Sequence, residues 1–170
     1  MKLKKTSPRA ARIPRSKSHR QESLNSQVPI LNSSAAPPPA GYSGTPLPKK
    51  LGIKPGATVL LVSAPAGFAD TLGELPPGAK LARSSRSPVP TILLFVRSQA
   101  TLAKAFEPAT MKLSTPGALW IIWPKKSSPL AGDLGENEIR AFGLARGFVD
   151  YKVCAVDADW SGLVFARRRS

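Results

Sequence analysis

The chain has 170 residues, a formal net charge of +15, one cysteine and one histidine. The histidine, His19, lies near the N-terminus, so residues 41–170 offer no imidazole for Ser-His-Asp or Cys-His catalysis and no Cys/His cluster for zinc. A lone cysteine forms no internal disulfide, no apolar run reaches the roughly 20 residues that span a bilayer, and no apolar stretch follows the basic N-terminus as in a secretory signal. We therefore expect a cytoplasmic protein with no metal site and no membrane segment.

Residues 1–40 differ in composition from the rest of the chain. They hold eight Lys or Arg against one Glu and are rich in Pro and Ser, a composition too polar to bury a core. We predict a disordered tail followed by one domain over residues 41–170, which is itself basic, with 17 Lys or Arg against nine Asp or Glu. The tail is interpreted as solvated, and the alternative is an arm that contacts nucleic-acid phosphates or acidic surfaces.

The domain opens with a short predicted helix. Thr45 is placed to cap this helix, with Pro46 at its first position. The helix carries Lys49 and Lys50, and Gly52 ends it. The apolar run that follows, A-T-V-L-L-V-S-A, predicts the first buried strand over residues 57–64.

The next segment stands where a nucleotide-binding protein has its glycine-rich loop. Pro65-Ala66-Gly67-Phe68 has a single glycine, and no acidic residue follows at the expected distance of about 20 positions. The pattern indicates a tight turn into a short helix over residues 68–75, then a short edge strand over residues 80–83.

Residues 91–96 (T-I-L-L-F-V) predict a second central strand. Ser98 can cap the helix that follows to about residue 113. Pro108 inside that helix predicts a kink or a division into two shorter helices.

Residues 117–126 (G-A-L-W-I-I-W-P-K-K) include six uninterrupted apolar residues, the pattern of a strand buried on both faces of a parallel sheet. Pro124 ends this strand. Trp120 and Trp123 are three positions apart and therefore point to opposite faces. We expect Trp120 in the core and Trp123 beside a pocket with Lys125.

The remaining sequence predicts a helix and a hairpin. Asp133 and Glu136 have the spacing of a capping box, for a helix that ends before Gly147. Residues 148–157 predict a strand, in which Cys154 is an inert core thiol. Residues 163–167 are predicted to return as an antiparallel edge strand.

Asp157, Asp159 and Trp160 lie at the turn of this hairpin. Two carboxylates without His, Cys or a further acid make a poor metal site, and Asp at a turn commonly bonds its own backbone. A structural role is therefore preferred, and the alternative is that Trp160 and the two acids bind a cation or that Trp160 stacks on a base.

Strands that alternate with helices predict an α/β fold. We expect a small, open, mostly parallel sheet in a Rossmann-like three-layer sandwich, with a C-terminal antiparallel hairpin. In such sheets ligands bind at the carboxyl ends of the strands.

The predicted carboxyl edge carries Arg97, Lys125 and Lys126 and no acid. We expect the largest functional pocket to open there, with Arg97 within reach of Lys125 across a bound anion. The full set of predicted ligand-binding residues is Lys49, Lys50, Gly67, Arg97, Ser98, Trp123, Lys125, Lys126 and Trp160.

Three blocks of sequence support a family resemblance: G-Y-S-G-T-P-L-P-K-K-L-G-I-K-P-G at 41–56, W-P-K-K at 123–126 and V-D-Y-K-V-C-A-V-D-A-D-W-S-G-L at 149–163. They resemble the uncharacterised bacterial family called domain of unknown function 3052, over residues 41–169, which implies a compact domain and no stated activity. More loosely, the layout is similar to class I S-adenosylmethionine methyltransferases. The methyl-donor loop is reduced to residues 64–68, the acidic ribose-binding residue is missing, and a full second βα unit has hardly any room.

These observations favour a non-catalytic module that binds an anionic small molecule or an acidic protein surface, with no cofactor and no catalytic residue. The alternative is a degenerate methyltransferase, in which S-adenosylmethionine would be the cofactor and Asp70 a candidate residue near the shortened loop. The second alternative is nucleic-acid association through residues 1–40.

Overall fold

The computed structural model describes residues 44–169. The predicted tail over residues 1–40, and any nucleic-acid contact that it makes, lie outside the described residues. Within residues 44–169, no helix is long and apolar enough to cross a membrane.

Residues 44–169 contain four helices and six strands. Their order is α1 (Leu47–Lys50), β1 (Thr58–Val62), α2 (Phe68–Leu72), β2 (Lys80–Ala82), β3 (Val89–Phe95), α3 (Gln99–Met111), β4 (Leu113–Pro124), α4 (Glu136–Leu144), β5 (Phe148–Ala155) and β6 (Trp160–Arg167).

The six strands form one sheet in the order β2-β1-β3-β4-β6-β5. The pairs β1–β2, β1–β3 and β3–β4 are parallel, whereas β6 is antiparallel to both of its neighbours, β4 and β5. The predicted α/β fold with a mostly parallel sheet and a C-terminal antiparallel hairpin is confirmed.

The predicted position of the last strand is wrong, because β6 lies inside the sheet and β5 forms the edge. Leu163 and Val164 of β6, which point to opposite faces of the sheet, are both buried, so the strand is covered on both faces. The edge strand β5 exposes Tyr151 and Val153, which are 62% and 45% exposed. Burial of the apolar side chains therefore determines which strand of the hairpin is central.

Helices cover both faces of the sheet, and the two faces have separate apolar clusters. Leu51 and Phe68, near α1 and within α2, pack with Trp120 on one face. Phe106 of α3 and Ile139 of α4 pack on the other face, in the cluster that contains Trp123. The predicted opposite placement of the two tryptophans is confirmed.

Two predicted helix caps are wrong. Pro46, and not Thr45, is the N-cap residue of α1, and no side chain caps this helix. Gly135 is the N-cap residue of α4. The Oδ1 atom of Asp133 instead accepts a hydrogen bond of 3.0 Å from the backbone N–H of Gln99. Asp133 thus caps the first turn of α3, 34 residues earlier in the chain, a partner that local spacing cannot reveal.

The predicted N-cap of α3 is confirmed, and the predicted division of the helix at Pro108 is not observed. Ser98 is its N-cap, and the Ser98 Oγ atom accepts a hydrogen bond from the backbone N–H of Thr101. Pro108 lies inside a helix that runs without a break from Gln99 to Met111, so the helix is not divided in two. Pro108 removes only one donor from the ladder of hydrogen bonds.

The connection between β2 and β3 has no helix. Residues 83–88 connect the end of β2 to the start of β3, and β1 lies between these two strands in the sheet. A connection between parallel strands usually has a dozen or more residues, so this one is short. The predicted lack of room for a full second βα unit is therefore observed.

Candidate ligand site at the carboxyl edge of the sheet

The carboxyl ends of β1, β3 and β4 meet at one edge of the sheet, since the three strands are parallel neighbours. From β1 the chain continues to β2 on one side, and β3 lies on the other side. The gap between β1 and β3 is therefore a topological switch point, the place where open α/β sheets bind ligands.

A cavity of about 260 Å³ lies at this switch point. The residues that line it come from the ends of β1, β3 and the start of α3 and β6: Ser63, Pro65, Phe95, Arg97, Thr101 and Trp160. None of these six residues is acidic, and Arg97 is the one among them with a charged side chain.

Ser63 has an unusual backbone conformation at this cavity. Its φ is 57°, and no other non-glycine residue within residues 44–169 has a positive φ. A serine in the left-handed region costs conformational energy, and such residues cluster at functional sites. Ser63 thus turns the chain sharply at the end of β1, next to the cavity.

Aromatic rings form the wall of the cavity. Phe68 and Phe95 meet edge to face with ring centroids 4.7 Å apart, and Phe95 meets Trp160 in the same way at 5.3 Å. The Arg97 Cζ atom lies 6.0 Å from the centroid of the Trp160 ring, within the range of a cation–π interaction. Arg97 is exposed, so its guanidinium remains available to a ligand.

Trp160 contributes a second donor. Its side chain is buried, with 5% of the residue exposed, and its indole N–H makes no hydrogen bond within residues 44–169. A buried donor without a partner is unfavourable, and an acceptor in the cavity would supply that partner.

The hairpin turn fixes Trp160 in place. Asp157 Oδ1 accepts hydrogen bonds of 2.8 Å from the backbone N–H groups of both Asp159 and Trp160. The ammonium of Lys125 donates to the carbonyl of Asp157 at 2.6 Å, and its backbone N–H donates to the carbonyl of Asp159 at 2.7 Å. The structural interpretation of Asp157 agrees with this geometry, and Lys125 holds the turn from the neighbouring strand.

The N-terminus of α3 is already satisfied by protein groups. Asp133 accepts from the backbone N–H of Gln99, and Ser98 Oγ accepts from that of Thr101. The hydroxyls of Ser98 and Thr101 are also 2.9 Å apart. A bound anion would therefore contact Arg97 and Trp160 rather than free amides of this helix.

The structure brings some of the predicted site residues together and separates others. Arg97 and Trp160 line the cavity, and Ser98 and Lys125 lie beside it as supports. Lys126 is exposed, after Lys125 at the same edge. Gly67 is the N-cap residue of α2, with a left-handed φ of 80°. The ligand-binding roles of these residues remain predictions.

The other three predicted residues lie elsewhere. Trp123 is buried in the core on the α3 and α4 face and lines none of the described cavities. Lys49 borders a cavity of about 720 Å³ between α1 and α2. The carbonyl of Lys50, also in α1, accepts a hydrogen bond of 2.6 Å from the ammonium of Lys152.

That the largest functional pocket opens at this edge remains a prediction. By volume, the cavity between α1 and α2 is larger than the one at the carboxyl edge, at about 720 Å³ against about 260 Å³. The rim also includes the acids Asp157 and Asp159 beside Lys125, although the cavity itself is lined by none. Arg97 and Lys125 do lie at the same edge, after neighbouring parallel strands.

Four lining residues are absent from the predicted set: Ser63, Pro65, Phe95 and Thr101. Pro65 stands in the loop that follows the predicted first strand. Thr101 could be found from its position three residues after the N-cap Ser98, and Phe95 from its place near the end of a predicted strand. Nothing in the sequence marks Ser63 for a positive φ, because serine rarely adopts that conformation.

The residues at this edge do not fit S-adenosylmethionine. The position after β2, where the methyl donor's ribose would need an acid, holds the cation Arg83. The loop after β1 has a single glycine. Ser63 borders two cavities at this edge: the one of about 260 Å³ is below the range of roughly 300–1,000 Å³ for drug-sized ligands, and the one of about 410 Å³, which Arg83 also lines, is within it. Within residues 44–169, no group of three or more His, Cys, Asp or Glu could hold a metal ion.

Three similar solved structures have names of methyltransferases or methylases. A candidate type 11 methyltransferase from Sulfolobus solfataricus has a TM-score of 0.50 and 15% sequence identity, over 73% of this chain and 90% of its own. This likeness shows the fold, a Rossmann-like methyltransferase fold. The N-methyltransferase NodS from Bradyrhizobium japonicum (13% identity, 66% and 86% coverage) and an rRNA methylase from Streptococcus thermophilus (11%, 72% and 92%) have TM-scores of 0.43, too low to support a conclusion.

No protein-family model matches the chain, and no curated protein matches it in sequence. The resemblance to domain of unknown function 3052 therefore remains a prediction.

Proposed function

We propose that this chain is a non-catalytic binding module for a small anion, held at the carboxyl edge between β1 and β3. The observation that carries the proposal is the pair of donors in one cavity, the exposed Arg97 guanidinium over the buried Trp160 ring. A guanidinium forms strong charge-assisted hydrogen bonds with carboxylates and phosphates. The Trp160 N–H adds a neutral donor at the same place, and the Thr101 hydroxyl adds another when Ser98 is the donor in the hydrogen bond between their hydroxyls.

The size of the cavity limits the ligand. About 260 Å³ accommodates a phosphate or carboxylate group with a few further atoms, and not a whole nucleotide. The aromatic wall of Phe95 and Trp160 suits an apolar substituent next to the anionic group. A small phosphate monoester or carboxylate is therefore the ligand class that this site fits.

Titration with inorganic phosphate and with phenyl phosphate, followed by tryptophan fluorescence and amide NMR shifts, tests this function. Arg97→Met should weaken binding by about tenfold or more, the cost of a charge-assisted hydrogen bond. Arg86→Met is the matched control, since Arg86 is exposed in the connection between β2 and β3 and lines none of the described cavities. Trp160→Phe keeps a ring and removes the N–H, so it should weaken binding less than Arg97→Met. Absence of binding, or equal binding by Arg97→Met, would contradict the proposal.

Methyl transfer is the second candidate, favoured by the fold likeness alone, which is analogy rather than evidence of activity. The poor fit of Arg83 and of the shortened loop to S-adenosylmethionine argues against it. Calorimetry with S-adenosylmethionine separates the candidates, because micromolar binding would favour a transferase. Asp70, an exposed residue of α2 near the shortened loop, would then be a candidate site residue.

Nucleic-acid association through residues 1–40 is a third proposal, based on the eight Lys or Arg in that segment. Binding to a DNA duplex of arbitrary sequence should weaken steeply with added salt. Deletion of residues 1–40 should abolish it, and unchanged affinity after the deletion would exclude the tail as the contact.

A further inference from the structure

A second cavity, of about 420 Å³, lies at the opposite edge of the sheet, near the amino ends of β3 and β4. Its floor contains Thr91, Ala118 and Ala166, which lie on three adjacent strands. Thr91 and Ala118 are direct cross-strand partners, and Ala118 and Ala166 are next in the chain to the partners Leu119 and Phe165. Adjacent strands are about 4.8 Å apart, so this row of small side chains makes a flat floor about 10 Å wide. Leu51 and Gly52 border the cavity on the α1 side.

The side chain of Thr91 faces this cavity. Along β3, Ile92 belongs to the apolar cluster of the α3 face and Leu93 to that of the α1 face. Since side chains alternate along a strand, Thr91 points to the same side as Leu93. That is the side on which Leu51 lies.

The Thr91 hydroxyl has no hydrogen-bond partner within residues 44–169, although the residue is only 5% exposed. Thr110 provides a direct comparison, because it is equally buried and its hydroxyl donates to the carbonyl of Glu107 at 2.9 Å. A buried hydroxyl without a partner is costly to the fold. An unpartnered group at the wall of a cavity therefore indicates that a ligand supplies the missing partner.

The polar groups at the mouth define the charge of that ligand. Lys54 and Tyr151 line the cavity, and both are exposed. No acidic residue lines it, so its charged group favours an anion. The volume falls within the range of small-molecule sites, and the remaining lining is apolar or glycine.

We propose that this cavity binds a planar aromatic carboxylate. The ring lies on the floor formed by Thr91, Ala118 and Ala166, a carboxylate oxygen accepts a hydrogen bond from the Thr91 hydroxyl, and Lys54 supplies the opposite charge. This site is separate from the proposed anion site at the carboxyl edge and does not depend on it.

The stability of the ligand-free protein gives the first test. Thr91→Val preserves the shape and removes the unpartnered hydroxyl, so it should raise the thermal unfolding midpoint. Thr110→Val, the matched control, breaks an existing hydrogen bond and should lower the midpoint. If Thr91→Val lowers the midpoint as Thr110→Val does, the Thr91 hydroxyl already has a partner and the proposal is overturned.

Binding of 2-naphthoate to the full chain, measured by calorimetry, gives the second test. Thr91→Val should weaken binding about tenfold, the value of one hydrogen bond, whereas Thr91→Ser should bind like the wild type. Lys54→Met should weaken 2-naphthoate binding, and Lys104→Met, an exposed lysine of α3, should not. The neutral 2-naphthylmethanol and acetate, which lacks a ring, should each bind more weakly.

The variant Arg97→Met separates the two proposed sites. It should leave 2-naphthoate binding unchanged, and a loss in this variant would assign the binding to the carboxyl edge. No binding by the wild type, or equal affinity in Thr91→Val, would overturn the proposal, since the cavity would then hold solvent only.

Discussion

The ammonium of Lys125 donates a hydrogen bond of 2.6 Å to the backbone carbonyl of Asp157, 32 residues further along the chain. Lys125 follows β4, and Asp157 begins the turn from β5 to β6. The contact therefore joins the end of one strand to the turn that orients Trp160. A lysine that the sequence marks as a ligand-binding cation is, in the structure, a support for an aromatic residue of the candidate site.

Replacement of this lysine should reduce stability. Lys125→Met keeps the aliphatic stem and removes the hydrogen bond, so we expect a loss of about 1–2 kcal/mol in the free energy of unfolding, measured by urea unfolding. The neighbouring exposed Lys126 is the control, and Lys126→Met should change stability by less than about 0.5 kcal/mol. Equal effects of the two substitutions would show that the contact with Asp157 contributes nothing.

Asp133→Ala tests the cap that joins the loop after β4 to α3. The carboxylate accepts from the backbone N–H of Gln99, and loss of a cap costs about 1 kcal/mol. Amide hydrogen exchange should accelerate at Gln99 and leave Glu136, at the start of α4, unaffected. Faster exchange at Glu136 alone would instead support the capping box that local spacing predicts.

Arg140 bridges α4 to the edge strand β5. Its guanidinium contacts Glu136 at 2.7 Å and Asp150 at 2.8 Å. The hydrogen bond with Asp150 is the larger of the two effects that raise the pKa of Arg140, and the hydrogen bond with Glu136 is the second. Arg140→Met should cost about 1 kcal/mol, and Arg140→Lys should not restore it, because an ammonium lacks the planar fork. A double-mutant cycle with Asp150→Asn measures the coupling, and additive effects would contradict a working bridge.

The parts of the fold that follow from local sequence are predicted correctly. Uninterrupted apolar runs locate the central strands, since a strand covered on both faces must be apolar throughout. The three-residue separation of Trp120 and Trp123 predicts their opposite faces. The position of Arg97 and Lys125 at one edge follows from the parallel arrangement.

The parts that depend on distant partners are not predicted. The insertion of β6 between β4 and β5 depends on which of the two hairpin strands buries more apolar surface. The role of Asp133 depends on Gln99, which lies 34 positions away in the sequence. The unpartnered hydroxyl of Thr91 is equally invisible, because threonine is common in strands and only the assembled sheet shows what surrounds it.

The stability of the protein should also depend on the ionisation of Cys154 at alkaline pH. Burial raises the pKa of its thiol above the ordinary value of 9.0, and the nearby Lys152 and Lys50 oppose this shift. As the pH rises, the thiol ionises first in the unfolded chain, so the stabilisation is complete below the ordinary pKa and is lost as the pH passes through the raised value.

Urea unfolding of the wild type and of Cys154→Ala, at a series of pH values from about 7 to 10, measures this effect. The wild type should lose more unfolding free energy over this range than the variant, which has no thiol to ionise. The titration of lysines and tyrosines is common to both proteins and cancels in the difference. Parallel curves for the two proteins would mean that the thiol has the same pKa in the folded and unfolded states, and that the side chain is not desolvated in β5.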